Sequence, residues 1–495
     1  MFSRRSFLKA SGSCLVLPAL LSAPGTLLAA PSHLRVRKNL MTLPDNDPFF
    51  EAYGEAVAKM HEIDKDKAPT ERRLTSWFGQ ATIHANWCKH GDINFCSWHR
   101  PYLAMFEEIC GSQIGDPTFA LHYWNWSEKG GIIPNPFYDN NNLNVTYWND
   151  PGTYDGIGWG DIDTRGVRGL AKGTGVQADP NRGGNFSTDI LANIMSQPTF
   201  KIFSNLLEGQ PHNNAHVIVG AVPEGKQGHM YSGLSPLDPI FWMHHCMVDF
   251  MWARWQDAGN KTMDRAETFA NQFVNPQDQF VTFSSEGVRD YAALGYTYEG
   301  NVVPSALVSA LALAPIDSAA QESMARRLES VAPVTLAASS DTIKVMTNKT
   351  VSLSASVPRL KSALDSTSVF SVLGPDGPAV VAGPKQVYAV VKGITWPTGP
   401  VENLIVNAFV NNPDANPSTP SSDPSYAGTF TFFGSRKMME NMQHDHGVIF
   451  DITEALRAKG GSVDDVSLQL VPLNPVPGTK SEASFEIGGF EIFTA

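Results

Sequence analysis

The chain has 495 residues, of which 42% are hydrophobic and 17% charged, so it can bury a large core and is long enough for roughly two or three domains. Its 37 basic and 49 acidic residues give a formal net charge of −12, and the sequence contains no long basic run. Because phosphate binding needs a concentrated basic face, this balance argues against nucleic acid as the main partner.

The first thirty residues have the pattern of an export signal. Ser3-Arg-Arg-Ser-Phe-Leu-Lys9 is similar to the twin-arginine signature, and an apolar stretch (14–21) and small residues ending at Ala30 follow it. We therefore predict a signal peptide at 1–30 and bacterial export by the twin-arginine route, to the periplasm or beyond the cell. A short amphipathic surface helix is the alternative. No other apolar run is long enough for a transmembrane segment, so none is expected.

The region from about residue 45 to 257 alternates helical segments with long loops. Phe50–Met60 and Pro101–Ile109 have apolar residues at helical spacing, and Pro101 suits the first turn of a helix that His99 would open. Residues 128–185 are rich in Gly, Asn and Asp and are predicted to form a long irregular loop. Loops of this kind often line a site.

The composition changes after Val302. Two Ala/Leu-rich helical stretches (305–313 and 319–328) predict a helical linker over 301–335. Short β-branched and aromatic segments with turn signals between them then predict a β-sandwich or barrel over 336–495, with one helix at Asp451–Lys459. The predicted strand segments are 342–346, 351–357, 386–391, 404–410, 429–433, 466–471 and 485–493.

Histidines gather in two clusters of three along the chain. His212 and His216 are four residues apart, so on a helix both imidazoles leave from one face, with Cβ atoms about 5–6 Å apart. The segment around His245 (241–252) is too apolar to bury imidazoles cheaply without partners. Each histidine alone would suit a structural role, but two triples together indicate two metal ions side by side. The triples are His84, His90 and His99, and His212, His216 and His245.

Ligand type narrows the choice of metal. Imidazole suits zinc, copper, iron or nickel, whereas magnesium, calcium and manganese prefer carboxylates. No Glu-x-x-His pair of the kind found in di-iron bundles accompanies these histidines. Copper or zinc remains, and a hydrolytic zinc protein is the more distant alternative to a copper protein. Neutral imidazoles add no negative charge, so a Cu(I) pair would stay accessible and could meet dioxygen between the ions.

These motifs resemble the tyrosinase, catechol oxidase and haemocyanin family, whose members carry a type-3 dicopper centre. The resemblance spans about residues 45–257, and the β-rich remainder is similar to the C-terminal domain of plant and bacterial polyphenol oxidases around 406–413 and 426–430. Its second copper motif is similar to His212-Asn-x-x-His216 followed by Ser235-Pro-x-Asp-Pro-x-Phe-Trp-x-His-His245-x-x-x-Asp249-x-x-Trp252, and its first to Trp98-His-Arg100, Tyr102 and Tyr123-Trp-Asn-Trp126.

The resemblance implies an α+β multidomain protein. A mainly α-helical four-helix-bundle dicopper domain (31–300) would precede the β-sandwich or barrel domain. His84, His90 and His99 would bind one copper, and His212, His216 and His245 the other, with dioxygen as co-substrate. His244 would be a neighbour and not a ligand. Phe241 would stack beneath the imidazoles of the second copper, and Asp249 would orient a ligand or pair with Arg100.

Cysteines crowd the first histidine cluster. Cys88 stands two residues before His90, a spacing that resembles the Cys-x-His thioether of fungal tyrosinases and molluscan haemocyanins. We predict a Cys88–His90 thioether bond, with a small buried cysteine as the alternative. The four cysteines of the mature chain do not form a disulfide framework by their spacing; the other three are Cys96, Cys110 and Cys246.

Glu208 and Asn213 flank His212 and resemble the water-holding pair proposed to deprotonate phenols in tyrosinases. A carboxylate and an amide oxygen can polarise one water that relays the proton of the phenol. The resemblance thus implies copper-dependent oxidation of small phenols: o-hydroxylation of monophenols and oxidation of o-diphenols to o-quinones. A catechol oxidase without hydroxylase activity and a haemocyanin-like oxygen carrier are the alternatives, and a homo-oligomer stays open.

A second cluster of soft ligands lies in the C-terminal region. Residues 438–446 contain three methionines and two histidines, which could hold Cu(I) for transfer. A solvated loop is the alternative. The β-rich domain would either cover the cavity in a latent form or simply stabilise the fold.

Overall fold

The structure is a computed structural model. It describes residues 34–67, 71–148, 164–222, 227–300, 333–346, 348–374, 377–395, 397, 404–431, 447–458, 465–473 and 484–495. The predicted signal peptide, the predicted helical stretches at 305–328 and the methionine and histidine cluster at 438–446 lie outside these residues.

Helices dominate the described chain up to residue 257. Asp47 begins the first of them, because its side chain accepts a hydrogen bond from the Phe49 amide (3.0 Å) while Pro48 occupies the first turn. The third helix packs against the first and the seventh. The helices are α1 (Pro48–Glu62), α2 (Trp77–Trp87), α3 (Phe95–Ile114), α4 (Thr188–Met195), α5 (Phe200–Leu207), α6 (Asn213–Gly220) and α7 (Ile240–Asp257). Among the described residues, no helix is long and apolar enough to cross a membrane.

The start of α3 corrects one prediction. The helix begins at Phe95 and not at Pro101, so Pro101 lies in its interior and His99 stands inside the helix rather than opening it. An interior proline removes one i→i−4 hydrogen bond and usually ends or kinks a helix. Here all residues from Phe95 to Glu107 are buried, and packing of the surrounding core offsets the loss.

The predicted loop at 128–185 is irregular where the structure describes it. It contains short 3₁₀ turns, such as Asn135–Phe137 and Gly183–Phe186, and neither an α-helix nor a paired strand in the described part of the range. The chain then closes the helical region with two small sheets. Strands β1 (Arg35–Arg37) and β4 (Tyr296–Tyr298) pair in parallel, and β2 (Thr268–Val274) and β3 (Phe280–Ser284) form a hairpin.

The C-terminal region is built from antiparallel sheets, as the alternating segments predict. Within the described residues these sheets are open, and no closed barrel forms. The strands are β5 (Val334–Ser339), β6 (Ile343–Met346), β7 (Val351–Ser356), β8 (Thr367–Gly374), β9 (Gly377–Pro384), β10 (Val387–Lys392), β11 (Ile405–Val410), β12 (Tyr426–Thr431), β13 (Val448–Asp451), β14 (Asp465–Leu473), β15 (Ser484–Ile487) and β16 (Gly489–Thr494). One four-stranded sheet has the order β13-β10-β16-β5 and the other β12-β11-β14-β7.

Two short helices accompany these strands. They are α8 (Leu360–Leu364) and α9 (Thr453–Ala458). The second lies within the predicted helix at Asp451–Lys459 and is shorter, because Asp451 still belongs to β13.

The β-rich region shares apolar cores with the helices. Val217 of α6 and the nearby Tyr231 pack with Ile405, Phe409 and Val471 of the sheets in one buried cluster. A polar contact adds to this interface: Asn205 of α5 donates to the Gly447 carbonyl (2.8 Å) and accepts from the Ile449 amide (2.8 Å). The β-rich region is therefore packed directly on α5 and α6, the helices on either side of His212.

Candidate metal centre

Six buried histidines converge from six elements of the chain. His84 lies on α2, His90 on the loop after it and His99 on α3. His212 ends a π-helical turn (208–212), His216 lies on α6 and His245 on α7. None of the six is more than 3% exposed. The helical core thus brings together residues that are up to 161 positions apart, from 84 to 245.

The first triple forms a compact group. The ring centroids are 5.3 Å apart for His84 and His90, 5.7 Å for His84 and His99, and 5.2 Å for His90 and His99. In the second triple, His212 lies 4.7 Å from His216 and 4.9 Å from His245. The two groups touch, because His99 stacks on His245 at 4.3 Å and His90 lies 5.4 Å from His212.

Hydrogen bonds to backbone carbonyls fix which ring nitrogen faces the centre in three of the proposed ligands. The Nδ1 atoms of His84, His99 and His216 lie 2.8, 2.9 and 2.8 Å from the carbonyls of Gly233, Phe95 and Met230. A carbonyl only accepts, so Nδ1 carries the proton and Nε2 keeps its lone pair. The Nε2 atoms of His84 and His99 have no hydrogen-bond partner among the described residues.

In the second triple the Nε2 atoms lie close enough together to share a cation. The Nε2 atoms of His212 and His216 are 3.2 Å apart, and those of His212 and His245 are 3.4 Å apart. His212 and His216 both hold their protons on Nδ1, where each donates to an oxygen, Asn213 Oδ1 for His212 (2.9 Å) and the Met230 carbonyl for His216. Two lone pairs facing each other at this distance repel unless they share a cation.

Burial keeps these imidazoles neutral. Removal from water lowers the pKa of His84 to about 4 and lowers the pKa values of His99, His216 and His245 well below the ordinary value of 6.5. Neutral nitrogen donors in groups of three suit copper, and the tightly packed rings match the two ions that the sequence predicts.

Two phenylalanines pack between the triples. Phe241 lies 4.3 Å from His245 in a tilted contact and meets His84 edge-on at 5.0 Å, so it touches ligands of both groups and does not lie flat beneath one. Phe95, which the sequence reasoning missed, lies 4.8 Å from His212 and 4.9 Å from His99. Its position four residues before His99 on a helix was the available signal.

His244 is fully buried beside the second triple. Its ring stacks on His212 at 5.0 Å and meets His216 edge-on at 4.7 Å, and Trp126 lies 5.2 Å away. Its two nitrogens have no hydrogen-bond partner among the described residues. One nitrogen of His244 lies within 4.8 Å of donor atoms of the second triple. His244 was predicted to be a neighbour and not a ligand, and this distance alone does not separate it from the three proposed ligands.

Asp249 pairs with Arg100, one of the two roles considered for it. Its Oδ1 accepts from Arg100 Nε at 2.6 Å, and its Oδ2 lies 3.3 Å from Arg37 Nη1 and accepts from the hydroxyls of Tyr296 (2.6 Å) and Tyr298 (2.8 Å). Although burial alone would raise it, the two guanidinium groups hold the pKa of Asp249 below its ordinary value. Asp249 thus ties α7 to α3 and to strands β1 and β4 at the helical core.

The π-helical turn before His212 carries Glu208. Pro211 interrupts the regular ladder there, and the Asn214 side chain donates to the Gln210 carbonyl (2.6 Å). Glu208 is 7% exposed and accepts from the Gly91 amide at 2.5 Å. Burial, with the negative charge of Asp92 added, raises the pKa of Glu208 to about 8, although the Gly91 hydrogen bond lowers it. Turns of this kind are common at functional sites.

Asn213 and Cys88 each lie beside one proposed ligand. The Asn213 amide oxygen takes the Nδ1 proton of His212 and so orients that imidazole. Cys88 Sγ lies 3.5 Å from His90 Nδ1, and burial raises the pKa of the Cys88 thiol well above its ordinary value. All of the sequence-predicted site residues therefore stand next to the six histidines or hold the segments that carry them.

Comparison with known proteins agrees with this site. Residues 55–258 match the model of the common central domain of tyrosinase, and this range contains all six histidines together with Glu208, Asn213 and Asp249. Over this range the chain is similar to the tyrosinase family of type-3 copper proteins. Members of this family have a dinuclear copper centre, which the histidine clusters fit.

The similar curated proteins come from plants. The chain is 28% identical over 312 residues to (+)-larreatricin hydroxylase of Larrea tridentata and 29% identical over 317 residues to polyphenol oxidase C of Solanum lycopersicum, in both cases over 55% of its own length. It spans about half the length of these two relatives. It is also 26% identical to the latent form of polyphenol oxidase from Prunus armeniaca, over 92% of this chain and 71% of that protein.

Solved structures share the fold over nearly the whole chain. The latent apple tyrosinase structure aligns with a TM-score of 0.60 at 22% identity and covers 95% of this chain and 99% of that one. A latent aurone synthase aligns with a TM-score of 0.58 at 19% identity, over 94% and 90%. The helices and the β-rich region are therefore found together in other proteins.

Proposed function

We propose that this protein is a copper-dependent phenol oxidase that hydroxylates monophenols at the ortho position and oxidises o-diphenols to o-quinones with dioxygen. The observation that carries the proposal is the pair of buried histidine triples in contact. In four of the six, the Nδ1 proton is directed to a carbonyl or amide oxygen, and in the second triple the Nε2 atoms converge; the four are His84, His99, His212 and His216. His84, His90 and His99 would hold one copper, and His212, His216 and His245 the other.

Copper bound there would bind dioxygen and accept electrons from the phenol. The protein holds the copper ligands and excludes water from them. Phe95 and Phe241 are fully buried and pack against the ligands, so they exclude water from the imidazoles. Oxidation of two o-diphenols to o-quinones removes four electrons and four protons, which reduce one dioxygen to two waters. Small phenols therefore suit the site as substrates.

Glu208 and Asn213 support the hydroxylase part of the proposal. A monophenol binds best as phenolate, and because the phenol pKa is near 10, a proton acceptor is needed at neutral pH. Glu208 is a buried carboxylate whose raised pKa of about 8 is closer to that of a phenol than the pKa of an ordinary glutamate. The positive charge of bound copper would favour the ionised form of Glu208. That carboxylate would take the proton through a water, and Asn213 would help to hold the water while orienting His212.

Parallel oxygen-uptake measurements test this proposal. Copper-loaded protein is supplied with a monophenol and, separately, with the corresponding catechol, and copper is quantified in the same samples. We expect two copper ions per chain and oxygen uptake on both substrates. Uptake on the catechol alone would make the protein a catechol oxidase, and reversible oxygen binding without uptake would make it an oxygen carrier.

We also propose a thioether bond between Cys88 and His90. Sγ lies 3.5 Å from His90 Nδ1, which places it near the adjacent ring carbons. Forming the bond removes one hydrogen from the thiol and one from the ring, so dioxygen or another oxidant must take up two electrons. Peptide mass analysis of copper-loaded protein should show the linked peptides two hydrogens lighter than their sum. An alkylatable Cys88 thiol would contradict the bond.

For the wider molecule we propose bacterial export and a bundle-plus-sandwich architecture. The twin-arginine-like segment at 3–9 supports export to the periplasm or beyond, and replacing Arg4 and Arg5 by lysine should retain the protein in the cytoplasm. Contacts of α1 with α2 and α3, and of α3 with α7, support a four-helix bundle. The paired four-stranded sheets support a sandwich, which a crystal structure would test.

A further inference from the structure

His90 differs from the other proposed ligands in what carries it. The other five stand on helices or on the π-helical turn, where the backbone hydrogen-bond ladder fixes each Cα. His90 stands on the loop of residues 88–94 between α2 and α3. Gly91 follows it with a φ of 64°, a left-handed conformation that glycine adopts readily. Side-chain contacts must therefore fix this loop.

The Glu267 carboxylate contacts the loop on both sides of His90. Its Oε1 lies 2.7 Å from Lys89 Nζ, and its Oε2 accepts a hydrogen bond from Asn94 Nδ2 at 2.8 Å. The side chains of Lys89 and Glu267 are 24% and 26% exposed, so solvent screens this ion pair less than a fully exposed one. One carboxylate thus joins the residue before His90 to the residue that precedes α3.

Glu267 is itself held in place just before strand β2. Its amide donates to the Ser285 hydroxyl (3.2 Å), its carbonyl accepts from the Ser285 amide (3.0 Å), and that hydroxyl donates to the Arg265 carbonyl (3.0 Å). Ser285 is fully buried. The carboxylate therefore projects from a fixed backbone, and it belongs to a segment beyond residue 258, where the match to the tyrosinase central domain ends.

We propose that Glu267 is a positioning residue that fixes the His90 loop and thereby slows release of the copper bound by the first triple. This inference rests on the proposed dicopper function. Glu208, on the π-helical turn, contacts the same loop, because its carboxylate accepts a hydrogen bond from the Gly91 amide. Residues that orient metal ligands typically contribute about 10–100-fold to metal affinity. We expect the lower end for Glu267, because it contacts Lys89 and Asn94 and not His90 itself.

The test compares Glu267→Gln with a matched control, Glu286→Gln, in the full-length copper-loaded protein. Both changes neutralise a glutamate of the same region, but Glu286 is exposed, and among the described residues its side chain makes no hydrogen bond or ion pair with the His90 loop. Copper release to a chelator is followed by elemental analysis, and the Cu(II) state by electron paramagnetic resonance. A coupled Cu(II) pair gives no such signal, whereas a lone Cu(II) ion does.

We expect Glu267→Gln to release one copper about tenfold faster and to develop the lone-ion signal, while Glu286→Gln behaves as the unchanged protein does. Lys89→Gln should show part of the same effect, and the double variant should lose less than the sum of the single changes. Metal-free Glu267→Gln should melt at nearly the temperature of the unchanged protein.

Two results would overturn the inference. In one, Glu267→Gln releases both ions at the rates of Glu286→Gln; in the other, both coppers are lost equally together with a large fall in the melting temperature of the metal-free protein. Failure of the unchanged protein to bind two coppers would instead remove the proposed function.

Discussion

Asn213 contacts His212 and is proposed to hold a water as well, so a test of its role must separate the two. Its amide oxygen accepts the Nδ1 proton of His212, so any substitution acts on the second copper as well as on a phenol-bound water. We expect Asn213→Ala to reduce monophenol hydroxylation about tenfold more than catechol oxidation, since only the first reaction needs the phenolic proton removed by a relay. Initial rates on both substrates, divided by copper content, measure this.

Asn213→Asp is the matched control for that prediction. It keeps an oxygen that accepts from His212 Nδ1, so its copper content should equal that of the unchanged protein. Equal losses of the two activities in Asn213→Ala would show that the residue only orients His212.

The raised pKa of Glu208 predicts a pH dependence of stability. The folded, metal-free protein keeps a proton on Glu208 up to about pH 8, whereas the unfolded chain releases it near pH 4.5. Because the folded state binds more protons between these values, this contribution to the free energy of unfolding is full below about 4.5 and is lost as the pH rises through about 8. Denaturant titrations of metal-free Glu208→Gln across this range should therefore show a flatter profile, and parallel profiles would contradict the assignment.

Residue types and spacing indicated a metal site at the six histidines, because ligand chemistry is visible in side-chain identity, and the resemblance added Glu208 and Asn213. Their roles stay predictions. Partners far along the chain were not. Arg37 and Asp249, 212 positions apart, meet only because β1 pairs with β4 beside α7. Glu267 and Lys89 likewise meet only in the folded chain.

At the scale of elements, Arg37 joins strand β1 to two helices. Its buried guanidinium binds Glu107 of α3 (3.0 Å) and Asp249 of α7 (3.3 Å). We expect Arg37→Met to lower the free energy of unfolding by about 3 kcal/mol, the lower end for a broken buried pair, because Arg35 and Arg100 still face the two carboxylates. Denaturant unfolding of the metal-free protein measures this.

Lys59→Met provides the comparison for Arg37→Met. Lys59 pairs with Glu55 at the surface, where both side chains are about half exposed, so its loss should cost no more than about 1 kcal/mol. Equal costs for the two variants would show that the buried network contributes little.

Helix positions followed from apolar periodicity, but two helix features did not. The prediction that α3 starts at Pro101 was wrong, because complete burial from Phe95 onward sustains a helix through a residue that normally begins one. The π-helical turn at 208–212 carries no sequence period of its own. It depends on Pro211 and on the Asn214 side chain, which satisfies the Gln210 carbonyl.

At the scale of the whole molecule, the helical and β-rich regions share buried cores. Phe409 is fully buried in the cluster that joins β11 to Val217 of α6. We expect one cooperative unfolding transition for the whole chain, and we expect Phe409→Ala to lower its free energy of unfolding by about 3–5 kcal/mol. Calorimetry that resolves separate transitions, with the helical one unmoved by Phe409→Ala, would contradict this coupling.

The alternating segments predicted that the C-terminal region is built from β-strands, but not how its sheets pack against the helices. Which sheet faces the helices depends on long-range complementarity between apolar surfaces, such as Val217 against Phe409, and one sequence does not reveal such pairs. The described strands form open sheets, so the closed barrel, one of the two predicted architectures, is not found among them.

Copper stoichiometry of ligand variants tests the dicopper centre most directly. Elemental analysis of the purified, copper-loaded protein should find two copper ions per chain, about one in His245→Gln, and two in His244→Gln, because His245 alone of the pair is the proposed ligand. A single ion in the unchanged protein, zinc in place of copper, or equal losses in His244→Gln and His245→Gln would contradict this account of the site.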